Sequence, residues 1–161
     1  MLLKSVLNEI IYAQRNNLSL SDTGLKREVL QTIPDISSHA LVVSGVRRCG
    51  KSTLLFQLLS GKFPEALYVN FEDPRLYEFE QSDFSRLDQI ITDLKSKVLL
   101  FDEIQIIDGW EKYIRQKLEE NFKPKSVIRN LGWYQERPTH LFRGTPQPFE
   151  PISSFHLQGE F

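Results

Sequence analysis

Gly45-Val46-Arg47-Arg48-Cys49-Gly50-Lys51-Ser52 reads G-x-x-x-x-G-K-S, and the rest of the chain can be organised around it. A loop of this kind wraps its backbone round a phosphate, and glycine at the two fixed positions keeps Cβ atoms out of the way. Successive N–H groups then point inward, and the helix that follows adds the positive end of its dipole. In such a loop Lys51 supplies a point charge for the β- and γ-phosphates, and the Ser52 hydroxyl is a ligand for Mg²⁺. The flanks agree with the loop. His39 to Ser44 reads as a short buried strand entering it. Ser52 to Leu59 reads as the helix leaving it, with Gly61 near its C-terminal end. The expected phosphate-binding set is Gly45, Val46, Arg47, Arg48, Cys49, Gly50, Lys51, Ser52 and Thr53, with Arg47 and Arg48 read as a solvated loop tip.

Outward from the loop, the layout is that of an α/β chain. Leu2, Leu3, Val6, Leu7, Ile10 and Ile11 recur at helical spacing and predict an amphipathic helix of about three turns. Asn16-Asn17 and the run from Ser19 to Gly24 break it. Lys26 to Ile33 reads as a second helix stopped by Pro34. Ala66 to Phe71 is a buried strand. Asp83 to Lys95 carries Phe84, Leu87, Ile90, Ile91 and Leu94 on one helical face, with Ser82 as its cap. Val98 to Phe101 is an apolar strand, and Trp110, Tyr113, Ile114 and Leu118 mark a further helix. Strands alternating with helices imply a P-loop NTPase fold, a mostly parallel sheet with helices on both faces. Such sheets bind ligands at the carboxyl ends of their strands.

Asp102-Glu103 follows the second of those strands. An apolar strand ending in Asp is the Walker B pattern. Its carboxylate holds the Mg²⁺ shell from the side opposite Ser52, so Ser52 and Asp102 are the expected metal residues. Glu103 suits the role of orienting an attacking water, the expected catalytic function. A GTPase would show Asp-x-x-Gly here and Asn-Lys-x-Asp later, and neither is present. A small-molecule kinase does not require the acidic pair. An ATPase with a strand-borne glutamate is favoured.

Four motifs then carry a family resemblance. They are the phosphate loop, Tyr68-Val69-Asn70-Phe71-Glu72-Asp73-Pro74-Arg75-Leu76, Phe101-Asp102-Glu103-Ile104-Gln105 and Gly109-Trp110-Glu111. In order and spacing, over residues 25 to 122, the chain resembles the AAA-type P-loop ATPases of archaea and bacteria. The resemblance implies ATP and Mg²⁺ as ligands. It also implies a further C-terminal region, often with a helical, DNA-binding-like part, through which a DNA or protein partner would be engaged. It assigns no cellular task, and no physical role for Asp73-Pro74-Arg75 follows from the residues alone.

Bulk properties set limits. A length of 161 residues is long enough for one domain with a real core, and a formal net charge of −1 gives no support to bulk electrostatic binding of nucleic acid or membrane. The single cysteine, Cys49, excludes an intrachain disulfide and fits a reducing, cytoplasmic compartment; it reads as a small tolerated side chain. No run of 18 apolar residues and no signal-peptide pattern is expected. Nothing in the residues indicates an oligomer.

The end of the chain departs from the resemblance. After Phe122 the family has a strand ending in Thr/Ser-Gly-Ser-Asn, whose polar residue senses the γ-phosphate, and then an arginine-bearing segment. Here Lys123 to Phe161 holds five of the eight prolines and shows no period. The expected division is therefore a helical segment over 1–34, a partial ATPase core over 35–125 that is incomplete at its C-terminus, and an irregular tail over 126–161. With synonymous codons freely chosen, residues from about Leu131 on can be re-read two bases along. The result contains Leu-Val-Ser-Gly-Thr-Ala-Asn-Ser, which resembles the missing strand. A frameshift between Ser126 and Leu131 is one explanation, and a divergent tail is the other. Three functions stay open: an ATP-binding domain with weak or no hydrolysis, an ATPase completed by a partner chain, and a non-enzymatic module that uses nucleotide to fix its fold.

Overall fold

A computed structural model of the chain describes residues 1–19, 24–33, 40–45, 49–119, 126–132 and 154–157. The strands are β1 (Ala40–Gly45), β2 (Leu67–Asn70), β3 (Val98–Asp102), β4 (Ser126–Gly132) and β5 (Ser154–Leu157). They form one parallel sheet in the order β2-β3-β4-β1-β5. The helices are α1 (Lys4–Ser19), α2 (Val29–Thr32), α3 (Lys51–Gly61), α4 (Phe84–Asp93) and α5 (Trp110–Glu119).

Side chains alternate across the sheet, as the two-residue period of a strand requires. Leu67, Val69, Leu99 and Phe101 face a layer built with Leu7, Ile10 and Ile11 of α1, Leu87, Ile90 and Ile91 of α4, and Tyr113 and Ile114 of α5. Leu41, Val43, Tyr68 and Leu100 face the opposite layer, which contains Leu54, Leu55 and Leu58 of α3, with Val29, Leu30 and Ile33 packed alongside. The expectation of a mostly parallel sheet with helices on both faces therefore holds for the described residues.

Four local expectations are corrected. The first helix does not stop at Asn16-Asn17 but continues to Ser19. Its buried Gln14 bonds both backbone groups of Asn70 on the edge strand β2: Nε2 donates to the carbonyl oxygen at 3.0 Å and Oε1 accepts from the N–H at 2.9 Å. That docking outweighs the weak helix propensity of asparagine. The second helix is one turn, not Lys26 to Ile33, because the backbone at Leu25 and Arg27 is hydrogen-bonded instead to the Gln57 side chain. Helix α4 starts at Phe84, and Asp83 rather than Ser82 organises its entry. Asp83 is fully buried, and its carboxylate accepts from the N–H groups of Leu2 and Glu80 and from Arg86.

The fourth correction is the largest. Residues 126–132 and 154–157, expected to be irregular, are strands β4 and β5. Strand β4 fills the gap between β1 and β3 and pairs with both, so the core is not one strand short there. The prolines that shaped the expectation, Pro124 and Pro138, flank this stretch, and the stretch itself has none. An unfilled gap would leave the backbone groups of β1 and β3 as open edges. The remainder of the expected tail, residues 133–153 and 158–161, lies outside the described residues.

Candidate nucleotide-binding site

The register gives the rim of the sheet a common level. Val43 on β1 pairs with Asn130 on β4, Asn130 with Asp102 on β3, and Asp102 with Asn70 on β2. Gly45 lies two residues further along β1, where the phosphate loop begins. Two strand spacings separate β1 from β3, or about 10 Å. The loop and the acidic pair thus open at the same carboxyl edge, as the strand endings led us to expect.

At the far side of the loop Gly50 has φ 80° and ψ 30°, the left-handed conformation that glycine adopts without cost. Leu54 N–H makes an i→i−4 bond to the Gly50 carbonyl at 3.0 Å. The N–H groups of Lys51, Ser52 and Thr53 precede it in the first turn and, by helix geometry, are directed out of the helix end. Lys51 is buried at 5% exposure, whereas Ser52 and Thr53 are half-buried. Cys49 is a free, half-buried thiol. Val46, Arg47 and Arg48 lie outside the described residues.

Asp102 ends β3 and is buried at 2% exposure. The phenol of Tyr68 donates to its Oδ2 at 3.2 Å. Burial, and then the charge of Asp102, hold the Tyr68 hydroxyl far above the ordinary tyrosine range, so it keeps its proton and remains a donor. Glu103 follows with φ 54°, an uncommon backbone for a residue with a side chain. Strain of this kind is of order 1–3 kcal/mol and concentrates where a side chain must be aimed. Gln105 Nε2 donates to Glu103 Oε2. Burial raises the Glu103 carboxyl above its usual value. Gln105 opposes this, Asp102 and Glu72 add to it, and Lys51 opposes it.

Sequence reasoning left several supporting residues without a role. Tyr68 lies in a buried strand, and its hydroxyl is the polar handle that a buried tyrosine must satisfy, here on Asp102. Gln105 belonged to a motif and is now a hydrogen-bond partner of Glu103. Asp73 caps a 3-10 turn at Pro74–Leu76, and the Arg75 guanidinium bound to it holds its carboxyl well below the usual carboxylate range. Gln14 also donates to Asp73 at 3.0 Å, so the Asp73-Pro74-Arg75 run fastens the end of β2 to α1.

The donor chemistry fits a hard cation. Ser52 and Asp102 offer oxygen, and among the described residues no group of three or more His, Cys, Asp or Glu gathers as an all-protein metal cage. Mg²⁺ suits such a site because it keeps waters and takes phosphate oxygens beside one or two protein ligands.

A family model described as an AAA domain matches residues 37–129, more than half of the chain. The protein belongs to this family of AAA-type P-loop ATPases. An uncharacterized protein of Methanocaldococcus jannaschii, MJ1544, is 32% identical over 121 residues, which is 74% of this chain and 27% of the relative. An uncharacterized protein of Haemophilus influenzae is 34% identical over 99 residues, 54% of this chain and 24% of the relative. The chain spans about a quarter of the length of these relatives. No helix among the described residues is long and apolar enough to cross a membrane.

Proposed function

We propose that the chain binds Mg·ATP through Gly45 to Thr53 and, in this form, hydrolyses it weakly or not at all. One observation carries the reading: Lys51 is buried at the start of α3, beside the left-handed Gly50, and Asp102-Glu103 lies at the end of β3 on the same carboxyl edge of the parallel sheet. In this reading the first-turn N–H groups of α3 and Lys51 bind the phosphates. Ser52 and Asp102 hold Mg²⁺, which when bound neutralises charge on the phosphate oxygens. Tyr68 keeps Asp102 oriented. Glu103, aimed by its backbone and by Gln105, orients the attacking water.

Weak turnover follows from what phosphoryl transfer needs. An arginine supplied to the γ-phosphate is worth about 10³–10⁵ in rate. The candidates after Phe122 are Arg129, which lies on β4, and Arg137 and Arg143, which lie outside the described residues. The family match ends at residue 129, inside β4, which supports the frameshift reading from about Leu131. Sequencing the locus across the codon for Asn130 tests that part directly. A shifted frame that runs into stop codons overturns it.

Binding of a labelled ATP analogue, with and without Lys51→Ala, tests the function. Loss of a charge-assisted contact costs about 1.5–3 kcal/mol, or roughly tenfold to a hundredfold in affinity. Unchanged affinity would overturn the proposal. Brisk steady-state hydrolysis abolished by Glu103→Gln would instead favour an active ATPase, leaving the binding assignment intact.

A further inference from the structure

The segment Gly24–Ile33 runs alongside α3 and is fastened to it. The buried Gln57 of α3 takes both backbone partners at its start: Oε1 accepts from Arg27 N–H at 3.2 Å, and Nε2 donates to the Leu25 carbonyl at 2.7 Å. Val29, Leu30 and Ile33 pack on the aliphatic cluster that contains Leu54, Leu55 and Leu58. At the end, Lys62 Nζ donates to the Ile33 carbonyl at 3.1 Å. The strap is therefore tied to the middle and the C-terminal end of the helix that carries Lys51 and Ser52.

From this strap Arg27 reaches the phosphate loop. Its Nη2 donates to the Cys49 carbonyl oxygen at 2.8 Å. The guanidinium also fills the space that a side chain at Gly50 would occupy: a Cβ built there lies 2.0 Å from Nη2 and 3.0 Å from Cζ. Glycine at position 50 suits its left-handed backbone, and a side chain there would have to displace the end of the Arg27 side chain packed against it. Cys49 and Gly50 are the last residues before the first-turn N–H groups. A planar, permanently charged fork that holds their backbone fixes the direction in which those N–H groups leave the helix. It also adds positive charge beside the cradle.

We propose that Arg27 is a positioning residue of the nucleotide site, bracing the Cys49–Gly50 turn so that the first-turn N–H groups of α3 are set for a polyphosphate, and that the 24–33 strap tightens when nucleotide binds. The inference rests on the nucleotide-binding reading above. Coupling is reciprocal: if the strap's position favours phosphate binding, phosphate binding favours the strap's position. Arg27 and Gln57 then act in series. Arg27 grips the loop, and Gln57 holds Arg27 on α3.

The test is hydrogen exchange and nucleotide binding on the whole chain. Adding Mg·ATP to the unaltered protein should slow exchange of the amides between Leu25 and Ile33. Arg27→Leu should weaken Mg·ATP binding about tenfold, the cost of one charge-assisted hydrogen bond, and abolish the protection. Arg27→Lys should recover part of the affinity, and Gln57→Leu, which keeps the arginine but loosens its anchor on α3, should weaken binding by less than Arg27→Leu and lower the protection. A merely structural role would lower the melting temperature of Arg27→Leu without changing the ATP-induced protection. That result, or an affinity unchanged in Arg27→Leu while Lys51→Ala loses binding, overturns the inference and leaves the site assignment standing. If Lys51→Ala also leaves binding unchanged, the site assignment itself fails.

Discussion

The two faces of the sheet are packed by different means. The layer formed with α1, α4 and α5 is built round a cluster of aromatic rings among aliphatic side chains. Phe71 meets Phe79, Phe84 and Phe101 edge to face, and Phe84 stacks on Tyr113 with ring centres 4.0 Å apart. The layer formed with α2 and α3 is mainly leucine, valine and isoleucine, with Tyr68 as its buried hydroxyl and Phe56 against it. Rings fill large volumes with few rotatable bonds and prefer set angles, so the first layer locks β2 and β3 against the helices behind them. The second layer carries the phosphate loop on α3 and the Tyr68 contact to Asp102. One face supplies rigidity, and the other is where charged chemistry meets the core.

That contrast can be broken at its strongest point first. Phe101→Ala removes a fully buried ring from the aromatic layer and should cost about 3–5 kcal/mol of stability, read as a large fall in the denaturant midpoint. A loss no greater than that of Leu54→Ala on the other face would show that the two layers contribute alike.

A smaller effect is expected from Tyr68→Phe. It leaves the fold's volume intact and removes one donor from the buried Asp102 carboxylate, costing about 1.5–3 kcal/mol. We expect the Mg²⁺ concentration needed for ATP binding to rise as well. A variant with unchanged stability and unchanged Mg²⁺ dependence would show that Asp102 does not rely on the phenol.

The smallest effect concerns pH. Glu103 keeps its proton to higher pH in the folded chain than in the unfolded one, because burial outweighs the pull of Gln105 and Lys51. The folded state then binds more protons in that interval, so stability falls as pH rises from the ordinary glutamate value to the raised one. Glu103→Gln removes this fall. Its melting temperature relative to the unaltered chain should climb as pH rises from the ordinary glutamate range through the raised value and then level. The half-buried position of Glu103 keeps the change small. A difference that shrinks with rising pH would contradict the burial of this carboxyl.

Reading the residues in order was enough for the strand and helix that flank Gly45 to Ser52, the strand ending in Asp102-Glu103 and the alternation that makes the sheet parallel. These are local patterns: a turn that needs glycine at Gly50, a strand that stays apolar from Val98 to Phe101, a helix with one apolar face. Three things depended on the tertiary structure. Helix α1 passes through Asn16-Asn17 because Gln14 docks on β2, a partner 56 residues away. Strand β4 pairs with the facing edges of β1 and β3, each of which would otherwise stay open on that side, a demand invisible in the composition of Ser126–Gly132. Arg27, Tyr68 and Gln105 gain their roles from atoms brought to them by folding. The sequence alone determined which residues are candidates for phosphate and metal chemistry, since that follows from functional groups and short spacings. Only the tertiary structure decided what holds those residues in place, because a supporting hydrogen bond depends on distances that the order of residues does not encode locally.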